Sequence, residues 1–141
     1  MWKSLILAAM LAGAAASAAP AGVSLTATLP PVIYMTPSGP SVATVIVAVA
    51  NTTGAPVRLT VPNSCGISLW NVTDSQGNDI EGRTICPMIY QPQSWSVPAA
   101  GRHDNVTIVF DGAKYRAGEI YTFHYRYWGL AADTIFKIAR P

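Results

Sequence analysis

A chain of 141 residues with a formal charge of +2 and only 11% charged side chains excludes the partners that need a strong electrostatic field. Nucleic-acid binding requires a basic stripe that neutralises several phosphates, and here the lysines and arginines stand singly along the chain. About a quarter of an ordinary soluble domain is charged, so the polar surface of this one must come from Thr, Ser, Asn and Gln.

The first eighteen residues read as a secretory signal peptide. Met1-Trp2-Lys3 is a short basic start, Leu5 to Leu11 is an apolar run, and Ala16-Ser17-Ala18 is a small-residue cleavage pattern. Cleavage after Ala18 makes Ala19 the first mature residue; one residue later, Pro20 would follow the cut. The alternative is an uncleaved anchor, but the run is far shorter than the roughly 20 residues a membrane-spanning helix needs. No other segment comes close, so stable membrane insertion is not expected. No cysteine follows the small-residue region to carry a lipid. The leader is assigned to 1–18 and a single domain to 19–141, roughly 120 residues, enough for one core and too few for two.

Along the mature chain apolar residues recur with period two, β-branched types dominate, and Gly, Pro, Asn or Asp break the pattern about every ten residues. No stretch reads as a helix. Val23 to Leu29 alternates and stops at Pro30-Pro31, and Tyr34 to Pro40 reads as a loop. Val42 to Ala50 is nearly all apolar, as expected of a strand covered on both faces or of a core strand in a sandwich, and ends at Asn51-Thr52-Thr53-Gly54. Val57 to Val61 resumes.

Ile67 to Thr73 and Asp79 to Ile85 then flank a turn signal, Asp74-Ser75-Gln76-Gly77. If the two runs pair about that turn, residues whose numbers sum to 151 face each other, which brings together Cys65 and Cys86, the chain's two cysteines. A disulfide persists in oxidising compartments, so the staple and the leader agree on a periplasmic or extracellular location. A loop of this size is worth roughly 3 kcal/mol by the chain-entropy model.

Pro87 to Gly101 reads as a Pro-rich crossover, with Trp95-Ser96-Val97 its one periodic piece. Asn105 to Phe110, Ile120 to Trp128 and Thr134 to Ala139 complete the strands, with breaks at Asp111-Gly112 and Ala117-Gly118. Seven to nine short strands at this spacing predict an all-β fold, an immunoglobulin-like antiparallel β-sandwich, over a small closed barrel. The crossover suits a chain changing sheets, and Tyr121 opens a strand just after Gly118, where a tyrosine corner is found.

Residues able to do chemistry are few. His103-Asp104 falls in a polar, solvated turn. Alternation places Tyr121, Phe123, Tyr125 and Tyr127 on one face and Thr122, His124, Arg126 and Trp128 on the other. The first set reads as core. The second has the Arg and Trp content of protein interfaces, or is a sandwich edge covered by Trp128 with Arg126 stacked on it. No G-x-S-x-G elbow occurs, and both cysteines are used in the staple, so no catalytic residue is assigned. Met35, Met88, His103 and His124 share no repeated spacing, so no metal or other cofactor is expected. Asn51, Asn71 and Asn105 head Asn-x-Thr sequons, at positions where turns or strand starts favour Asn in any case.

The series Ala48 to Leu59 (AVANTTGAPVRL), Ile67 to Gly77 (ISLWNVTDSQG), Val97 to Gly101 (VPAAG) and Ala117 to Tyr121 (AGEIY) resembles the BsuPI-type proteinase inhibitor domain across residues 42–128. That family is an immunoglobulin-like sandwich, so the resemblance implies the same fold and inhibition of a protease. This chain departs from the pattern in its leader, its cysteine pair and one extra residue before Tyr121.

Three functions follow as expectations. One is an exported non-catalytic module that grips a protein partner, a protease under the resemblance. A second is an accessory or structural subunit, or an immunity factor, of an envelope assembly, and the third is a small hydrolase or metal carrier. For the first, the contacts expected are the hairpin tip Ser75, Gln76, Gly77 and Asn78, the crossover residues Met88, Tyr90 and Trp95, and Arg126 with Trp128. The staple and prolines pre-order the tip and the crossover and lower the entropic cost of binding.

Overall fold

The structure, a computed structural model, describes residues 19–83 and 89–141. The leader, Cys86 and Met88 lie outside the described residues. The strands are β1 (Val23–Thr28), β2 (Val32–Tyr34), β3 (Pro40–Asn51), β4 (Val57–Val61), β5 (Ser68–Thr73), β6 (Asp79–Arg83), β7 (Gln93–Val97), β8 (Arg102–Asp111), β9 (Ile120–Tyr127) and β10 (Leu130–Ala139). They form one sheet in the order β1-β3-β8, a second in the order β2-β10-β9-β5-β6, and a ribbon β4-β7. This is the all-β sandwich expected from the sequence, with single 3-10 turns at Ser64–Gly66 and Gly112–Lys114.

The period-two pattern does what it predicts. Along β3 residues alternate between buried and exposed, with Val45 and Val47 inside and Val42, Thr44 and Ile46 outside. Of the two readings of this apolar strand, burial on both faces is therefore corrected: one face meets the core and the other is open. The core itself is a run of ring contacts with Phe110 of β8 at its centre. From the three-stranded sheet Phe110 reaches Trp70 on β5 at 5.4 Å, Phe123 on β9 at 6.2 Å, Phe136 on β10 at 5.8 Å and Tyr115 at 5.7 Å, centroid to centroid. Edge-to-face and tilted rings at these separations add roughly 0.5–1.5 kcal/mol per pair to the area they bury.

Two short strands escaped the sequence pattern. Val32–Tyr34 runs parallel to the end of β10, with Ile33 opposite Ile138. Three residues after a Pro pair are too few to show a period. The chain therefore changes sheets between β1 and β2, which closes one side of the sandwich. The second is β7, inside the crossover, where Gln93 to Val97 pairs with β4.

The pairing rule about the Asp74 turn needs correction. Thr73 faces Asp79, and beyond a bulge Val72 faces Glu81 and Trp70 faces Arg83, so the numbers sum to 152 and then 153. The turn uses one more residue than its Asp-Ser-Gln-Gly core. The N–H of Asp74 bonds to the carbonyl of Asn78 at 3.0 Å, and Gly77 takes φ +82°, which a glycine adopts without penalty. Cys65 is also not on a strand but on the 3-10 turn before β5, capped by the Asn63 side chain. It is not a free thiol. The antiparallel course continues beyond the break with the register moved by one more residue: the N–H of Ser64 bonds to the carbonyl of Ile89 at 3.2 Å, and β4 pairs β7 with Val57 opposite Val97, a sum of 154. From Val57 to Val97 the chain is thus one long hairpin interrupted near its middle, with Cys65 at the interruption.

Tyr121 forms the expected corner. Its ring is buried, and its hydroxyl accepts the Arg116 N–H at 2.9 Å and donates to the Glu119 carboxylate at 3.2 Å. Removing the hydroxyl strands a backbone donor, and an unsatisfied buried group costs about 1–3 kcal/mol. Tyr121→Phe is expected to lower unfolding free energy by about that amount, read as a lower urea midpoint at unchanged denaturant slope.

Candidate partner-binding surface

The structure separates the residues expected to contact a partner into two groups at opposite ends of β9. Because β5 and β9 are antiparallel, with Thr73 opposite Thr122 and Ser68 opposite Tyr127, the hairpin tip Ser75 to Asn78 lies at the start of β9. Trp95 and Trp128 lie at its finish.

At the tip, one carboxylate organises the turn. Asp74 Oδ1 accepts the N–H groups of Gln76 and Asn78, each at 2.9 Å, and Oδ2 accepts the Asn78 side-chain amide at 3.1 Å. These bonds, those from Asn78 foremost, hold the Asp74 carboxyl below its usual range. Beside the tip a cleft of about 570 Å³ is lined by Asp74, Gln76, Lys114, Arg116 and Glu119. Its two acidic and two basic side chains balance, so it offers no net charge to a charged ligand.

At the other end aromatic groups gather. Tyr127, Trp128, Gly129 and Leu130 form a two-residue hairpin turn, with Tyr127 opposite Leu130 and positive φ at both central residues, 51° for Trp128 and 79° for Gly129. Such turns favour Asn-Gly. A tryptophan there adopts a conformation that side chains with a Cβ disfavour. Trp128 has therefore left the strand, and its assumed place on a face with Thr122, His124 and Arg126 is corrected. Its indole packs 5.8 Å from that of Trp95, and the backbone N–H of Trp128 donates to the carbonyl of Ile67 at 3.0 Å. Trp95 in turn meets Tyr127 edge-on at 5.6 Å.

The cation over this cluster is Arg102, whose guanidinium carbon lies 5.8 Å from the Trp95 ring centroid, and not Arg126, as expected. Arg126 is an exposed residue of the outer sheet face, opposite Leu69 and Ala131. Arg102 also pairs with Asp104 at 3.4 Å, and Asp104 accepts the Tyr127 hydroxyl at 3.0 Å. Next to the cluster, the N–H of Ile89 donates to the Ser64 hydroxyl at 3.2 Å. This fastening presents Ile89, 48% exposed, and Tyr90, 74% exposed, to solvent.

The histidines separate too. His103 is an exposed residue on β8 rather than in a turn. His124 stands in a cross-strand row: Nε2 lies 2.8 Å from Thr73 Oγ1 and Nδ1 lies 2.8 Å from Asp133 Oδ1. Hydroxyl, imidazole and carboxylate in line form the relay of a nucleophilic hydrolase, but such catalysis also needs donors aimed at a developing oxyanion. Here the row crosses the face of a continuous sheet, β5-β9-β10, whose backbone N–H groups lie in the plane of the ladder. The row acts as a clamp on three strands. Thr73, Asp133 and Arg102 were missed because their roles come from cross-strand register, which the sequence pattern did not supply. Among the described residues, no three His, Cys, Asp or Glu side chains stand close enough to hold a metal ion, and no helix is long and apolar enough to cross a membrane.

No family model and no curated protein matches the chain. Solved structures with a similar fold include a CARDB domain from Pyrococcus furiosus in complex with di-metal ions, at 13% identity and TM-score 0.41, covering 83% of this chain and 87% of that one. A β-glucosidase from Listeria innocua in complex with gluconolactone is 9% identical at TM-score 0.44. A cycloisomaltooligosaccharide glucanotransferase from Paenibacillus is 10% identical at TM-score 0.42. The chain spans 16% and 14% of those two enzymes.

Burial raises the hydroxyls of Tyr115, Tyr121 and Tyr125, and burial with the Asp104 hydrogen bond pushes Tyr127 up to about 12. The folded state thus keeps phenol protons that an unfolded chain releases near pH 10. Raised folded values stabilise the fold below that pH, and the contribution is lost as pH climbs toward 12 and beyond. Urea midpoints are expected to hold up to about pH 10 and then fall, and Tyr127→Phe to make that fall shallower.

Proposed function

We propose that residues 19–141 form an exported, non-catalytic domain that binds a protein partner outside the cytoplasm, with the aromatic end as its contact. The observation that carries this reading is the exposure of Ile89 and Tyr90 on a segment fastened to Ser64, beside the Trp95–Trp128 pair. Large apolar side chains held in place bind at low entropic cost, and Trp, Tyr and Arg dominate the energetics of interfaces. Arg102, above Trp95, supplies the cation. The hairpin tip serves as a second contact at the far end. The resemblance to BsuPI-type inhibitors favours a protease as the partner, and the leader supports an encounter in the periplasm or the extracellular medium.

The pairing of Cys65 with Cys86 belongs to the same proposal. It would hold the interruption of the long hairpin, and with it the Ile89–Tyr90 segment, in the binding conformation.

The test is titration of the mature protein against a panel of secreted proteases, with residual activity and calorimetry as readouts. Inhibition or saturable binding that weakens by about tenfold or more in Tyr90→Ala, with the melting temperature unchanged, is the expected result. No binding to any of them counts against the protease reading. Equal binding by the variant moves the contact to the hairpin tip. Cys65→Ser combined with Cys86→Ser is expected to lower unfolding free energy by about 3 kcal/mol, and reducing agent to reproduce that loss in the parent protein.

A further inference from the structure

We infer that the free edge of β8 is the contact for a second copy of this chain, paired antiparallel about a two-fold axis at Thr107. On one side the β1-to-β2 passage closes the sandwich. On the other, β8 ends its sheet, and no described strand pairs with its outer side. Proteins usually guard such edges with charge, proline or brevity. The edge strand β6 of the other sheet is guarded in this way, with Asp79, Glu81 and Arg83 in five residues. β8 is ten residues long, and from Asn105 to Phe110 it has neither charge nor proline.

The direction of its backbone groups follows from one bond. The N–H of Asp111 leaves the sheet and meets the Glu81 carboxylate at 3.0 Å. Amide direction alternates along a strand, so the N–H groups of His103, Asn105, Thr107 and Val109 point to the same open side. These residues also have exposed side chains.

Antiparallel pairing of two copies about Thr107 sets Thr107 opposite itself, Asn105 opposite Val109, and His103 opposite Asp111. The Thr107 pair and the two Asn105–Val109 pairs then bring outward N–H and C=O groups face to face, the hydrogen-bonded phase of an antiparallel ladder, while the Asp111 N–H stays with Glu81. The register is self-complementary as an isologous interface requires. An imidazole meets a carboxylate at both ends, the middle is uncharged, and a Thr–Thr pair sits at the axis. Moving the centre by one residue, to Val106, keeps the hydrogen-bond phase but sets His103 opposite Val109 and loses both imidazole–carboxylate pairs. In the favoured register the outer faces of the two three-stranded sheets join, and the exposed Val42, Ile46 and Val109 become part of one six-stranded surface.

The experiment is sedimentation equilibrium of the purified mature protein across a concentration series, with Thr107→Lys and Thr107→Glu. Thr107 is exposed in a single copy, so neither change disturbs the fold, which circular dichroism checks. The expected result is a concentration-dependent dimer for the parent. Each variant is expected to be at least tenfold weaker, because like charges meet at the axis, and an equimolar mixture of the two to recover dimerisation. A parent monomeric at all concentrations overturns the proposal, as does a dimer undiminished in either variant. Failure of the mixture to recover overturns the two-fold register. A monomer that binds an added extended peptide along β8 gives the edge to a different strand and overturns the second copy as occupant.

Discussion

The fold depends on one side chain crossing between sheets. Phe110 comes from the end of β8, in the three-stranded sheet, yet its ring neighbours on β5, β9 and β10 belong to the five-stranded one. Among the described residues, the aromatic contacts of these two sheets converge on this ring. Its position fixes which way β8 faces. With Phe110 and Ile108 directed inward, Thr107 and Val109 must face out, and the outer row of the sheet is determined down to the β7–β8 turn. Gly101 makes that turn with φ +75°, and a Cβ there would meet the carbonyl oxygen of Val49 at 2.5 Å. Few charges are needed to hold such a structure together. Among the described residues Arg102–Asp104 is an ion pair, and a surface pair of this kind contributes about 0–1 kcal/mol.

What the sequence revealed and what it hid divide along one line, between information local to a segment and information that needs a partner strand. Val57 to Val61 was placed residue for residue, and Val23 to Leu29 and Ile120 to Trp128 to within one residue, because alternation is a property of the segment itself. The tyrosine corner was also legible, since Gly118 and Tyr121 mark it at fixed spacing. The pairing of Thr73 with Asp79 instead of Asn78 was not, because an extra turn residue and a bulge at Ile80 leave no trace in the hydrophobic pattern. Cys65 stands before β5, on the 3-10 turn at Ser64–Gly66, where the strand register does not reach. An antiparallel ribbon about the Asp74 turn is found as expected, but its centre of symmetry shifts along it, and pairing extends out to Val57 and Val97, with the apparent crossover as its returning arm.

The candidate contacts show the same division. Tyr90 and Trp95 were singled out for their type and for a pre-ordered segment, and both lie at the aromatic end. Arg126 and Trp128 were grouped by alternation, which stops where a two-residue turn begins. The arginine that meets the indoles comes instead from β8, a strand further along the chain, and nothing in the sequence near Trp95 announces it. The Thr73–His124–Asp133 row is a milder case: its central residue was noticed and its flanking partners were not.

The parallel pairing of β2 with the end of β10 carries a consequence for how the chain is made. Ile33 and Ile138 stand opposite each other, so nearly the whole length of the molecule separates two neighbours in one sheet. Contacts this remote in sequence slow folding, since a large loop must close before it is rewarded. A chain still emerging from the ribosome lacks the residues that complete the five-stranded sheet. It stays short of its final form until β10 has been made, the condition in which a polypeptide can still be threaded through a narrow channel.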